Sequence, residues 1–448
     1  MELYPSIRQI LKLSVPIMMG SAVQNIIALS DSVLLFHKGK IDFAAIGLVS
    51  IFYLIISSIG YGFSKGGQII IARKVGQGHK DEVGQSFYAM FYFQMILACF
   101  LFIFMKTAGP FLFKFLIHNQ EISTKCIEFL DWRAYGIFIS YVGVSIVALY
   151  TGVARTTFII IDTAILLLAN IFLNYAFIFG KFGFPEWGIY GAGLASTLAE
   201  LIALVVFMVY MIFDKEAIYY RIFRPYKVNW DQIKEQLSIG TPIVAQAIVG
   251  MGSWLIFFMV VENYIGEDAL AISNLGRNVY LLLSIPCWGF ASGINTMVSN
   301  LIGQKKHDLV WKAVVKTSII CLLVTVIISF PILFYPEYSI KYILFNEETN
   351  LIDQSRGLFQ VLFGILLVFA VGGVFFNGLA GTGATFYGLK IQFYCALFYL
   401  AFIYCTIIVW KVGLNWGWSS EIFYWSIILF FSGHYIYFKK WIKEKPIK

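Results

Sequence analysis

Residues 11–36 read LKLSVPIMMGSAVQNIIALSDSVLLF, an apolar run of membrane-spanning length broken near its far end by one acid, Asp31. A carboxylate inside a membrane span costs about 2.5–3.5 kcal/mol on insertion scales, so it persists where it faces protein or water and serves as an ion or proton site. Asp31 is therefore the first candidate functional residue. Gln24 lies seven residues earlier, and at about 3.6 residues per turn the two polar groups project from one helix face. That face is expected to line a cavity rather than to meet lipid.

Working outward, the same kind of run recurs along all 448 residues, of which 59% are hydrophobic, 18% aromatic and 13% charged. Soluble domains carry about a quarter charged residues, so the chain is an all-α, polytopic membrane protein. A hydrocarbon core of ~30 Å takes about 20 apolar residues per helix. That rule yields twelve spans, at 12–37, 43–72, 86–106, 130–151, 158–180, 189–213, 237–264, 269–302, 312–334, 357–382, 387–410 and 419–438. The first run is long and has no small-residue cleavage pattern after it, so it is expected to stay as span one. The six cysteines lie mostly inside apolar runs without paired spacing, which suggests packing rather than disulfides or zinc.

An even number of spans puts both termini on one side of the membrane. Of the 33 lysines and arginines, 21 fall on that side and 10 on the other, with Lys65 and Arg277 inside spans. Both termini are thus expected in the cytoplasm. The net charge of +8 reads as topology and attraction to anionic lipid, not as nucleic-acid binding.

The basic loop from Asp214 to Glu235 divides the chain into two expected six-helix lobes, 1–220 and 221–448. The sequence repeats across it. Tyr61-Gly62-Phe63-Ser64-Lys65-Gly66 matches Trp288-Gly289-Phe290-Ala291-Ser292-Gly293, and Gly76-Gln77 with Asp81 matches Gly303-Gln304 with Asp308, all at one offset. Pro16 and Pro242 align within one residue of it. Parallel repeats of this kind hold substrate between halves in alternating-access transporters. The glycines of spans two and six, among them Gly60, Gly66, Gly188, Gly191 and Gly193, fit either close helix packing or bending.

Gly62-Phe63-Ser64-Lys65-Gly66 fits the hydrolase pattern G-x-S-x-G, but it lies within an apolar helix and its repeat partner has Ala291 in place of Ser64. The nucleophile reading is rejected, and neither a metalloprotease nor a nucleotide-binding motif occurs. No enzyme activity, catalytic residue, metal site or cofactor is expected. Energy comes from an ion gradient or from none. Asn170 and Asn174, at i and i+4, share a helix face, where they could ligate Na⁺, donate to Asp31, or join helices. Lys65 is expected to snorkel toward the cytoplasm. Arg277 either pairs with Glu262 or faces the cavity, and Glu200 is expected in an ion pair with Lys65 or Arg155.

These residues together resemble the MATE family, the multidrug and toxic compound extrusion transporters. The resemblance rests on Leu29-Ser30-Asp31-Ser32, Gly76-Gln77-Gly78, Asn170-Ile171-Phe172-Leu173-Asn174-Tyr175, and Gly188-Ile189-Tyr190-Gly191-Ala192-Gly193 continuing to Thr197. It implies two pseudo-symmetric six-helix lobes forming a V around a central cavity, with substrate exported against H⁺ or Na⁺. Asp31 matches the family's coupling acid in span one and Asn170 the Asn near it; Gln24 and Ser196 match polar cavity positions. Asn174 falls where some members carry a second acid, which tilts the expectation toward protons. In the second lobe the acidic positions of other members correspond to Gly250 and Ala384. No acid site is expected there.

The resulting expectation is an antiporter of the bacterial inner membrane that exports cationic or amphipathic small molecules. Asp31, Asn170 and Asn174 form its coupling site, and Gln24, Ser196 and Arg277 belong to the substrate cavity. Its partners are small-molecule substrates and membrane lipid, and it is expected to be a monomer. The alternative is a flippase for lipid-linked oligosaccharide, which calls for more Arg and Lys around the cavity.

Overall fold

The computed structural model describes residues 2–224, 226–336 and 354–442, and all regular structure among them is helical. The helices are α1 (Ile7–Lys38), α2 (Lys40–Gln77), α3 (Lys80–Leu116), α4 (Gln120–Arg133), α5 (Gly136–Gly152), α6 (Thr157–Phe179), α7 (Gly188–Phe213), the short α8 (Lys215–Tyr219), and α9 (Trp230–Tyr264). They continue as α10 (Glu267–Leu283), α11 (Ile285–Gly303), α12 (Asp308–Phe334), α13 (Arg356–Gly381), α14 (Thr385–Ile403) and α15 (Leu414–Tyr437). Among the described residues, nine helical spans are long and apolar enough to cross a membrane, and two bent helix pairs bring the number to eleven. The expected twelfth span coincides with α15. It is not among those eleven, its Trp, Tyr and Ser residues and Glu421 interrupting the apolar run.

The two bent pairs depart from the straight spans read from sequence. The expected span 130–151 takes in only the end of α4 together with α5, which meet at 54° around Ala134-Tyr135, and the expected span 269–302 is α10 and α11, which meet at 45° at Ser284, just before Pro286. Proline close to a helix start supplies no N–H and needs none there, so it marks a fresh beginning. Hydropathy measures the length of an apolar run and is blind to such a bend.

The chain forms two compact units, Met19–Thr241 and Glu2–Met18 with Pro242–Lys448. The expected division at 220/221 differs from this grouping in two places. The start of α9 belongs with the first unit, where Gln236 Nε2 donates to the Phe63 carbonyl at 2.6 Å and a Cβ on Gly66 would lie 3.0 Å from the Gly240 backbone. The start of α1 belongs with the second, where a Cβ on Gly293 would lie 2.4 Å from Ser14 Oγ and Leu3 N donates to Asn300 Oδ1 at 3.2 Å. Gly66 and Gly293 are repeat partners in sequence. Each lets the start of another helix come so close that an added side chain would have to push its neighbour aside.

In the first unit, α2, α3, α4, α5 and α7 enclose a core that includes Ile46, Tyr53, Met105, Phe129 and Tyr141. Ser64 Oγ donates to the Gly60 carbonyl at 2.9 Å and accepts from Gln94 Nε2 at 2.7 Å, so it closes a polar contact inside the bundle. In the second unit, α13 packs against α11, α12 and α15, and its face of Leu362, Ile365, Leu366, Phe369 and Ala370 is buried.

Candidate functional site

Four of the sequence candidates meet inside the first unit. The i, i+4 spacing on α6 stacks Asn170 and Asn174 on the helix face turned inward, 1% and 0% exposed. Asn174 Nδ2 donates to Asp31 Oδ1 on α1 at 2.7 Å and to Asn170 Oδ1 at 3.0 Å. Asn170 Nδ2 in turn donates to Ser196 Oγ on α7 at 3.2 Å. The result is a hydrogen-bonded chain from carboxylate to hydroxyl across three helices. Asn174 Oδ1 is buried without a partner in it.

A charged pair that the sequence reading divided wrongly stands beside this chain. Glu200 on α7 is paired with Arg133, whose Nη2 donates to its Oε1 at 2.5 Å, and not with Lys65 or Arg155. Arg155 pairs with Glu216 instead, at 2.5 Å. The Arg133 guanidinium also lies 4.1 Å from the centre of the Tyr53 ring. Arg133 lies near the start of the expected span 130–151 and counts among the basic residues of the side opposite the termini. The α4/α5 bend carries it into the unit, and its charge and that of Glu200 both act on Asp31. Arg133 Nη1 and Glu200 Oε2 are buried without hydrogen-bond partners, so the pair holds bonding capacity in reserve.

Local packing fixes the pair. Thr197 Oγ1, one helical turn before Arg133's partner, donates to the Trp132 carbonyl at 3.2 Å at the end of α4. A Cβ on Gly193 would lie 2.4 Å from the Phe129 carbonyl oxygen, so α7 and α4 touch backbone to backbone. The glycines of span six therefore serve packing here.

The remaining candidates do not join the chain. Gln24 is exposed on α1 and takes no part in the hydrogen bonds around Asp31. Arg277, in the second unit, is half-buried with its guanidinium 5.3 Å from the centre of the Phe258 ring. Among the described residues no ion pair joins it to Glu262, which is exposed. Lys65 is half-buried on α2.

The second unit does bury an acid, away from Gly250 and Ala384: Glu421 on α15 is 4% exposed and accepts from Trp254 Nε1 at 2.6 Å. The signal was available, since it is the same as for Asp31: one acid in an apolar run. Glu421 escaped because it does not occupy the positions the family resemblance pointed to.

The sequence model of the MatE family matches residues 16–176 and 242–405. A probable multidrug resistance protein NorM of Thermotoga maritima is 27% identical over 439 residues, covering 94% of this chain and 90% of that protein. A multidrug resistance protein NorM of Photobacterium profundum is 24% identical over 364 residues, 81% of this chain and 77% of its own. Among solved structures, a MOP superfamily transporter from Pyrococcus furiosus aligns with a TM-score of 0.88 at 20% identity, over 98% of this chain and 97% of that one. An outward-facing multidrug resistance MATE family transporter gives 0.88 at 19%, over 99% and 97%. The two structures speak for the fold, and the two-part sequence match, over more than half the length, speaks for the family: the chain belongs to the MatE family, the multidrug and toxic compound extrusion transporters.

Proposed function

We propose that this chain is a secondary antiporter that exports cationic, amphipathic small molecules across the bacterial cytoplasmic membrane in exchange for protons, with both termini in the cytoplasm. The observation that carries the reading is the chain Asp31–Asn174–Asn170–Ser196, which gives a single membrane carboxylate a defined set of neutral partners. Ionised, Asp31 accepts from Asn174 Nδ2. Protonated, one of its oxygens becomes a donor, and the unpartnered Asn174 Oδ1 is an acceptor on the same amide. One proton therefore changes which bonds hold α1 to α6, and a change of helix packing is how such a carrier alternates its access. Gln24 and Arg277 remain candidates for contacts with substrate, and the protein is proposed to act as a monomer.

Protons fit better than Na⁺ here. The hydrogen-bonded chain holds one carboxylate, Asp31, with asparagine at 174 where some members of the family carry a second acid, and a single carboxylate is a weaker site for Na⁺ than for a proton. The NorM names of the relatives favour drug export over the flippase alternative. Ethidium efflux from proteoliposomes, with a pH gradient and a Na⁺ gradient imposed separately, tests the proposal. Efflux is expected with the pH gradient alone and is lost in Asp31→Asn; efflux driven only by Na⁺ overturns proton exchange.

A further inference from the structure

The second unit holds a buried carboxylate of a different kind. Glu421 sits on α15 with its Oε1 accepting from Trp254 Nε1 of α9 at 2.6 Å. The groups that face it from the packed elements are Tyr280 on α10, Tyr399 on α14, and Trp425 and Tyr424 on its own helix. Trp418 closes the wall, its ring 6.1 Å from that of Trp254. None of these groups is a cation. The basic residues of the same elements are turned elsewhere: Arg277 lies over Phe258 at 5.3 Å, Lys390 over Phe386 at 5.0 Å, and His434 against Phe438 at 4.6 Å.

Among the described residues no group of carboxylates, histidines or cysteines that could hold a metal ion surrounds Glu421, and the residue is 4% exposed. A proton is the one cation that needs no coordination shell. The cage also offers more than one bonding arrangement. Trp254 N–H is engaged at 2.6 Å, whereas the buried Trp425 Nε1–H is directed at both the carboxyl and the Tyr280 hydroxyl and makes a well-formed hydrogen bond to neither. A buried orphan donor next to an acid is accounted for if the acid reaches it in its other protonation state.

We propose that Glu421 is a second proton-exchange site, housed in the C-terminal unit on its last helix between Trp254 and Trp425. In the forward step hydronium gives its proton to a Glu421 carboxylate oxygen and leaves as water; in the reverse step the O–H proton returns to water and the carboxylate is restored. No other bond forms or breaks. The inference stands apart from the Asp31 reading, because it concerns a different unit and a different acid.

Infrared difference spectra of the reconstituted full chain, recorded between neutral and acid pH, test it. The C=O stretch of a protonated carboxyl is expected to appear on acidification in Asp31→Asn, to vanish in Asp31→Asn combined with E421Q, and to return shifted with E421D. In weakly buffered detergent, Asp31→Asn combined with E421Q is expected to take up one proton fewer on acidification than Asp31→Asn alone. A carboxyl band and a proton count unchanged by E421Q overturn the proposal. If E421Q does not fold, Trp254→Phe keeps the acid and removes its donor, and a band that neither moves nor changes its pH midpoint overturns the proposal equally. Loss of the band in Asp31→Asn alone, with E421Q unaffected, would assign all exchange to Asp31; the opposite pattern would remove the Asp31 reading and leave this one.

Discussion

Each compact unit of the molecule holds an acid within a helical span with no cation hydrogen-bonded to it, and the two are kept in opposite ways. Asp31 in the first unit is surrounded by amides, a hydroxyl and an Arg133–Glu200 pair, so its neighbours are polar and partly charged. Glu421 in the second is surrounded by aromatic rings and touches its cage through indole and phenol groups. An amide network specifies direction, since each bond has one donor and one acceptor and protonation reverses one of them. An aromatic cage specifies little beyond dryness and one or two N–H groups. The first arrangement suits a group whose proton must alter helix packing, the second a group that only has to hold a proton.

The sharpest break of this comparison is Asp31→Asn. Efflux of ethidium driven by a pH gradient is expected to be abolished, while the variant remains folded because asparagine can still bond to Asn174. Retained proton-driven efflux in proteoliposomes would demote Asp31 and make the amide chain a structural joint.

Next in size is the ion pair. Arg133→Leu leaves Glu200 as a buried, uncompensated charge and is expected to destabilise the protein by about 3–5 kcal/mol, whereas Arg133→Leu with Glu200→Leu should recover most of that loss. Thermal unfolding in detergent, followed by tryptophan fluorescence, checks both. If the double variant stays as unstable as the single one, Arg133 acts through Tyr53 packing rather than through charge, and the first unit resembles the second more than its polar contacts suggest.

The ion pair also marks where the sequence ceased to be readable. Ten of the twelve expected spans coincide with single helices, eleven of the twelve pass as membrane spans, and Asp31, Asn170, Asn174 and Ser196 come together, because run length and i, i+4 spacing are local properties written directly in the chain. Arg133 was misplaced because a 54° bend is set by what α4 and α5 pack against, and no local pattern encodes it. Arg277 and Glu262, plausible as a pair on adjacent helices, do not meet for the same reason. Glu421 was overlooked although its signal was local. It lies inside the expected span 419–438 but beyond residue 405, where the family match ends, so the resemblance drew no attention to it.

Gly193→Ala bears on the first unit alone. Its new methyl would need to sit 2.4 Å from the Phe129 carbonyl oxygen, so α7 and α4 must separate. A loss of about 1–3 kcal/mol is expected for such overpacking, together with a weakened Arg133–Glu200 pair. Unfolding measurements on Gly193→Ala in the Arg133→Leu/Glu200→Leu background separate the two contributions: a loss that shrinks there means the glycine serves the pair, and an unchanged loss means it serves helix contact only.

Trp254→Phe is expected to have the smallest effect and is the most discriminating test of the aromatic cage. It removes one hydrogen bond to Glu421 and leaves a ring in place, so the stability change should be about 0.6 kcal/mol and no more than ~1.7, the range for single polar contacts between membrane helices. A much larger loss, measured by the same unfolding experiment, would mean that the indole N–H is the main support of a charged Glu421 and that the second unit keeps an ionised acid as the first keeps its ion pair. The contrast between the units would then be one of partner type alone. A small loss, accompanied by a displaced carboxyl stretch, keeps the distinction: in the second unit the acid depends on dryness more than on any one donor, and a proton can come and go without unfastening a helix.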